Sequence, residues 1–95
     1  MKAIEILNNL LKRQVEIGDV KTSSLVESKL QEVRKVLEGL SKIADKYAYS
    51  VLINSYRTNV FNSIFNMGIP IEIKKFFMNV IITMFRESLR KRKKR

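Results

Sequence analysis

The residues best equipped for chemistry lie together at the end of the chain, where RESLRKRKKR runs from Arg86 to Arg95. Seven of those ten residues carry a positive charge and one a negative. A dense row of guanidinium and ammonium groups has one chemistry to offer. It condenses onto phosphates and releases their counterions, a gain that does not depend on base sequence. Arg86, Arg90, Lys91, Arg92, Lys93, Lys94 and Arg95 are therefore the leading candidate binding residues. Their clustering matters more than their number. Residues 1–85 hold 12 Lys and Arg against 8 Asp and Glu, a net +4, while the last ten contribute +6 of the total +10. A scattered surplus only aids solubility, whereas a block makes a local field that attracts polyanions. The competing roles for such a block are a solvated end and a signal read by import machinery.

A second candidate surface is a helix face made of Asn54, Ser55, Arg57, Thr58, Asn59, Asn62, Ser63 and Asn66. Asparagine pairs in two places with adenine and arginine with guanine, so Arg57 and Asn62 join the candidate set. Amide faces of this kind also occur where a helix is simply solvated or meets a partner chain. Just before it, the stretch from Ser41 to Ser50 resembles the first half of a helix-turn-helix DNA reader. Ile43, Ala44, Tyr47 and Tyr49 stand where that motif wants small or apolar residues, and Ala48 stands where glycine usually makes the turn. The second half departs from the motif, because Asn54 and Arg57 occupy positions that should pack the recognition helix inward.

Catalysis finds little to work with. The chain has no histidine and no cysteine, which removes the usual zinc ligands, thiol nucleophiles and imidazole bases. Tyr47, Tyr49 and Tyr56 have no histidine to activate them, the nine acidic residues sit mostly opposite basic neighbours, and no glycine-rich phosphate loop occurs. A non-enzymatic protein without metal or cofactor is expected. The absence of cysteine fits an intracellular setting, whether cytoplasmic, nuclear or virion-associated. The opening MKAIEILNNLLKRQVEIGD has charges inside its apolar pattern and does not read as a signal peptide. The run FFMNVIITMF is too short to span a bilayer, which takes about 20 apolar residues, and reads as a core helix.

These groups need elements to hold them. Three glycines and one proline in 95 residues, with 45% apolar residues, favour long helices and one modest core. Ile4, Leu7, Leu11 and Val15 make one helix face over residues 3–17, and Gly18-Asp19 supplies the stop. Ser24 and Glu27 fit a capping box that opens a second helix, with an earlier start at Asp19 as the alternative. Val26, Leu30, Val33, Leu37, Leu40, Ala44, Tyr47 and Val51 alternate spacings of four and three, a coiled-coil-like seam. Asn54 and Thr58 end it, so a third helix is placed from Ser50, with a bent continuation of the second helix as the alternative. Met67-Gly68-Ile69-Pro70 marks the last boundary, with Gly68 as a left-handed terminator and Pro70 in the next first turn. The final helix is expected from Pro70 to Leu89.

The expected fold is all-α: a compact bundle of three to four helices, completed by self-association, with a basic C-terminal tail. The division is a helical domain over residues 1–89 and a tail over 90–95, with no core contact beyond Leu89. The expected function is non-enzymatic binding of nucleic acid, DNA first, by a homodimer or higher homo-oligomer whose tail contacts phosphates. The alternatives are a coat- or scaffold-like assembly subunit and a helical protein that binds a membrane surface or a partner. The bias toward Ile, Lys and Asn fits an AT-rich genome, and small helical chains of this kind are common in viruses and plasmids.

Overall fold

The computed structural model describes residues 2–93, and its elements are four α-helices: α1 (Lys2–Glu16), α2 (Val20–Ser41), α3 (Lys46–Phe65) and α4 (Ile71–Lys93). The protein is all-α, and no strand occurs among the described residues.

The turn between α1 and α2 is where the sequence placed it. Gly18 adopts φ +95°, a left-handed conformation that glycine takes without the Cβ clash other residues meet. Its N–H donates to the Val15 carbonyl at 3.0 Å and the Asp19 N–H to the Gln14 carbonyl at 2.7 Å, satisfying the free carbonyls at the helix end. Asp19 then caps α2. Its carboxylate accepts from the Thr22 N–H at 3.1 Å, the Thr22 hydroxyl at 2.5 Å and the Gln14 amide at 2.9 Å. Asp19, the alternative start, thus opens α2, and Ser24 is an exposed position inside the helix. An N-cap carboxylate bonded three times outcompetes a serine one turn later.

The predicted seam is half right. Val26, Leu30, Val33 and Leu37 are buried and Leu40 packs against the core. Beyond that the chain turns at 42–45, several residues before the expected break. Ala44 is exposed, Tyr47 is 80% exposed and Val51 is 49% exposed, while Tyr49 and Ile53 go inside instead. The cause is Asp45, whose Oδ1 accepts from the Ala48 N–H at 2.8 Å with extended backbone at the cap. This cap starts α3 at Lys46 and rotates the inward face by two residues relative to the heptad. At the last turn Gly68 does not take the left-handed conformation expected of it. Met67 closes instead on the Ile64 carbonyl at 3.1 Å, and Pro70 accepts from Lys74 in the first turn of α4 at 3.0 Å.

The helices run alternately up and down. α1 and α3 each pack on both α2 and α4, α2 and α4 also touch each other, and among the described residues α1 and α3 do not meet. This is a flattened arrangement with α2 and α4 on the short diagonal. Extents of 47 × 24 × 17 Å describe an elongated body. FFMNVIITMF lies at its centre as expected. Phe77 and Ile81 are fully buried, Val80 and Phe85 nearly so, and Phe85 meets the rings of Tyr56 and Phe61 at 6.0 and 6.3 Å.

Two tests follow from the cap geometry and the seam. Leu37→Ala should cost about 2–5 kcal/mol in urea unfolding, whereas Val51→Ala should stay within about 0.5 kcal/mol; equal losses would restore the continuous seam. The hydrogen bonds from Thr22 and Gln14 hold the Asp19 carboxyl below its ordinary value. Its stabilising effect is therefore complete above the unfolded-state value and disappears as pH falls through the lowered folded one. Asp19→Asn keeps a capping oxygen but not this titration, so its melting-temperature deficit should shrink as pH drops below the ordinary aspartate range.

Candidate nucleic-acid interface

The cationic block is largely helical. α4 continues past Leu89 to Lys93, because Arg and Lys are good helix formers and positive charge is favoured by the helix's C-terminal dipole. Lys94 and Arg95 lie outside the described residues. Helical spacing divides the others among faces. Lys75, Arg86, Arg90 and Lys93 follow one another at intervals of eleven, four and three, forming one exposed stripe opposite Phe77 and Ile81. Lys91 is exposed on the side toward α2 and lines a cleft of about 480 Å³ with Arg34, Glu38 and Glu87.

Arg92 does something different. Its guanidinium carbon sits 3.8 Å from the centre of the Tyr49 ring. The two terminal nitrogens donate to the Ser41 and Ala44 carbonyls, each at 3.4 Å. The planar fork thus joins the end of α2, the turn after it and the first turn of α3 to the end of α4. The α2 carbonyls carry the negative end of a helix dipole, and the ring face carries the negative part of a quadrupole. The expectation that nothing beyond Leu89 contacts the body fails at Arg92.

This contact settles what else lies near the block. It brings the 42–45 turn to the end of α4, so Lys42 and Lys46, both exposed, join Arg90, Lys91 and Lys93 at one pole of the elongated body. Asp45 is the carboxylate within that turn, and its Oδ1 is committed to the α3 cap. Among the described residues the ion pair within 4 Å is Lys29–Glu32 at 2.7 Å, far along α2. Among the described residues, no carboxylate lies within 4 Å of the pole's cations. Sequence reasoning missed Lys42, Lys46, Arg34 and Lys75. The stripe through Lys75 was legible once the helix was extended past Leu89. Lys42 and Lys46 gave no local signal, because only the packing of α4 beside α2 brings them there.

The other candidates separate. Arg57 and Asn62 are both exposed but five residues apart on α3, about 140° around its axis, so they do not form one surface. The helix-turn-helix resemblance does not hold, since Ala48 lies inside α3 and the turn is at 42–45. Tyr49 and Tyr56 have buried hydroxyls without a hydrogen-bond partner among the described residues. Burial pushes the Tyr56 phenol up, and the Glu32 carboxylate adds to it, the opposite of what a nucleophile requires. No cluster of three or more metal-ligating carboxylates occurs among the described residues, and no described helix is long and apolar enough to cross a membrane. Comparison with protein-family models, curated proteins and solved structures returns no match.

Arg92→Lys tests the structural half of the block, since it keeps the charge and loses the fork and the flat stack. We expect the urea midpoint to fall by the equivalent of about 1 kcal/mol, with Lys93→Gln as an unaffected control. Equal stability of the two variants would make Arg92 an ordinary surface cation.

Proposed function

We propose that the chain is a non-enzymatic, self-associating nucleic-acid-binding protein whose basic pole contacts phosphates. One observation carries this reading: α4 stays helical through Lys93, and Arg92 fixes its end beside Lys42 and Lys46. Cations held on rigid elements lose less freedom on binding than a loose tail does. Arg86, Arg90 and Lys93 form the outer row, Lys91 and Arg34 face the cleft, and Lys42 and Lys46 extend the field across the pole. Contacts of this type go to the backbone and carry no sequence information. The proposal therefore concerns affinity for a polyanion, DNA in the first place, inside a cell or virion.

The assembly-subunit reading is favoured by a different observation. α3 turns Tyr47, Val51 and Phe65 to solvent, and apolar exposure of that kind marks contact surfaces. The two readings share self-association and differ in its extent. A closed dimer fits binding and regulation, while open-ended growth fits a coat or scaffold.

The test must spare Arg92, because truncation after Leu89 would remove a structural contact together with the charges. Arg90→Gln, Lys91→Gln and Lys93→Gln combined should leave the melting temperature unchanged. On duplex DNA they should flatten the plot of log affinity against log salt by about 0.9 per lost phosphate contact, roughly 2–3 in all. The loss should be similar for unrelated base sequences. An unchanged slope would move the site off this pole. Absence of binding by the intact chain at low salt would remove nucleic acid from the account.

A further inference from the structure

We infer that the exposed face of α3 is a two-fold interface that pairs antiparallel with α3 of a second copy. The inference rests on the self-association in the preceding proposal and assigns it a surface. The outward stripe of α3 reads Tyr47, Val51, Asn54, Thr58, Phe61 and Phe65, with spacings of four and three in strict alternation. Tyr47 and Phe65 are 80% and 72% exposed, Val51 is 49% exposed, and Phe61 is half-buried beside Phe85. Apolar residues thus occupy both ends of the stripe and amide and hydroxyl groups its centre.

Charge narrows the occupant. The chain carries a net +10, so two copies repel wherever charged faces meet. α1, α2 and α4 all expose charged residues on their outer sides. α3 contains Lys46 and Arg57 as its charged residues, and neither lies on the stripe. The Lys74 ammonium of α4 borders the stripe at one end, 5.7 Å from the Phe65 ring centre and bonded to the Phe65 carbonyl. The rest of the stripe offers a charged partner no complement, but suits a second copy of the same face.

The pattern is also self-complementary. Laid antiparallel about a two-fold axis at the level of Tyr56, Tyr47 faces the partner's Phe65, Val51 the partner's Phe61 and Asn54 the partner's Thr58. Each contact then occurs twice, as an isologous interface requires. In this register the central Asn54 amide can donate to the partner's Thr58 hydroxyl, whose own proton is held by the Asn54 carbonyl of its chain, much as a buried asparagine fixes register in helical pairs. A stripe of about 30 Å at 1.5 Å per residue is at the small end of stable interfaces, so monomer and dimer exchange at micromolar concentration. The pairing sends the two basic poles to opposite ends of the dimer, with their α3 starts about 30 Å apart.

Sedimentation of the intact chain over a micromolar concentration series should show a rise toward twice 11.1 kDa. Val51→Lys should hold it at the monomer mass with an unchanged helical spectrum, while Ile17→Lys, which alters a 72% exposed residue away from α3, should not. The chain has no cysteine, so mixing Asn54→Cys and Thr58→Cys chains under mild oxidant should trap a mixed disulfide. Val51→Cys alone should not crosslink, because its two copies lie about 15 Å apart along the pair. A dimer that survives Val51→Lys and fails to crosslink overturns the α3 surface while leaving self-association standing. A wild-type chain that stays at the monomer mass overturns self-association as well.

Discussion

The arrangement depends on burying α4. Its middle turns put Phe77, Val80, Ile81 and Phe85 out of water, each worth roughly 1.5–3 kcal/mol relative to exposure. A helix this apolar on its inner side must be covered from several directions at once. α1, α2 and α3 all contact it. With α4 fixed in this way, the direction of everything rigidly attached to it is fixed too, including the cations two and three turns farther on.

That continuity turns an electrostatic feature into a geometric one. A block of six cations on a loose end samples many arrangements, and binding must order it each time. Carried on a helix, Arg90 and Lys91 point to different sides by construction, 100° apart. The same continuity makes Arg92 structural. One turn beyond Ser88 it reaches the α2–α3 turn, and a guanidinium can stack on Tyr49 while donating to two carbonyls. The chain therefore devotes Arg92 to holding the pole together, while Arg90, Lys91 and Lys93 are exposed.

Charge is segregated along the body for a related reason. α1 and α2 mix Lys and Arg with Glu on their outer faces, α3 has only Lys46 and Arg57 and keeps both off its outward stripe, and the end of α4 is strongly positive. Under the proposed binding and pairing, an uncharged stripe and a positive pole would meet different partners, and they lie on different helices.

Much of this is written locally in the sequence. Helix content follows from scarce glycine and proline, the α1 stop from Gly18, and the buried side of α2 from Val26 to Leu37, because propensity, capping and 3.6-residue periodicity act over a few neighbours. The neutrality of the α3 stripe and the density of the terminal block are likewise plain from residue types. Besides the α2 start, the Gly68 conformation and the end of α4, the sequence alone misplaced the end of the seam. Ala44, Tyr47 and Val51 keep the heptad spacing, but a carboxylate cap at Asp45 starts a new helix and turns them outward. A cap decides helix phase through a single hydrogen bond that spacing does not register. The tertiary structure alone decided that Lys42 and Lys46 stand at the same pole as the end of α4 and that Arg92 belongs to the fold. Those pairings join residues some fifty positions apart, and only the packing of α4 between α2 and α3 sets the distance between them.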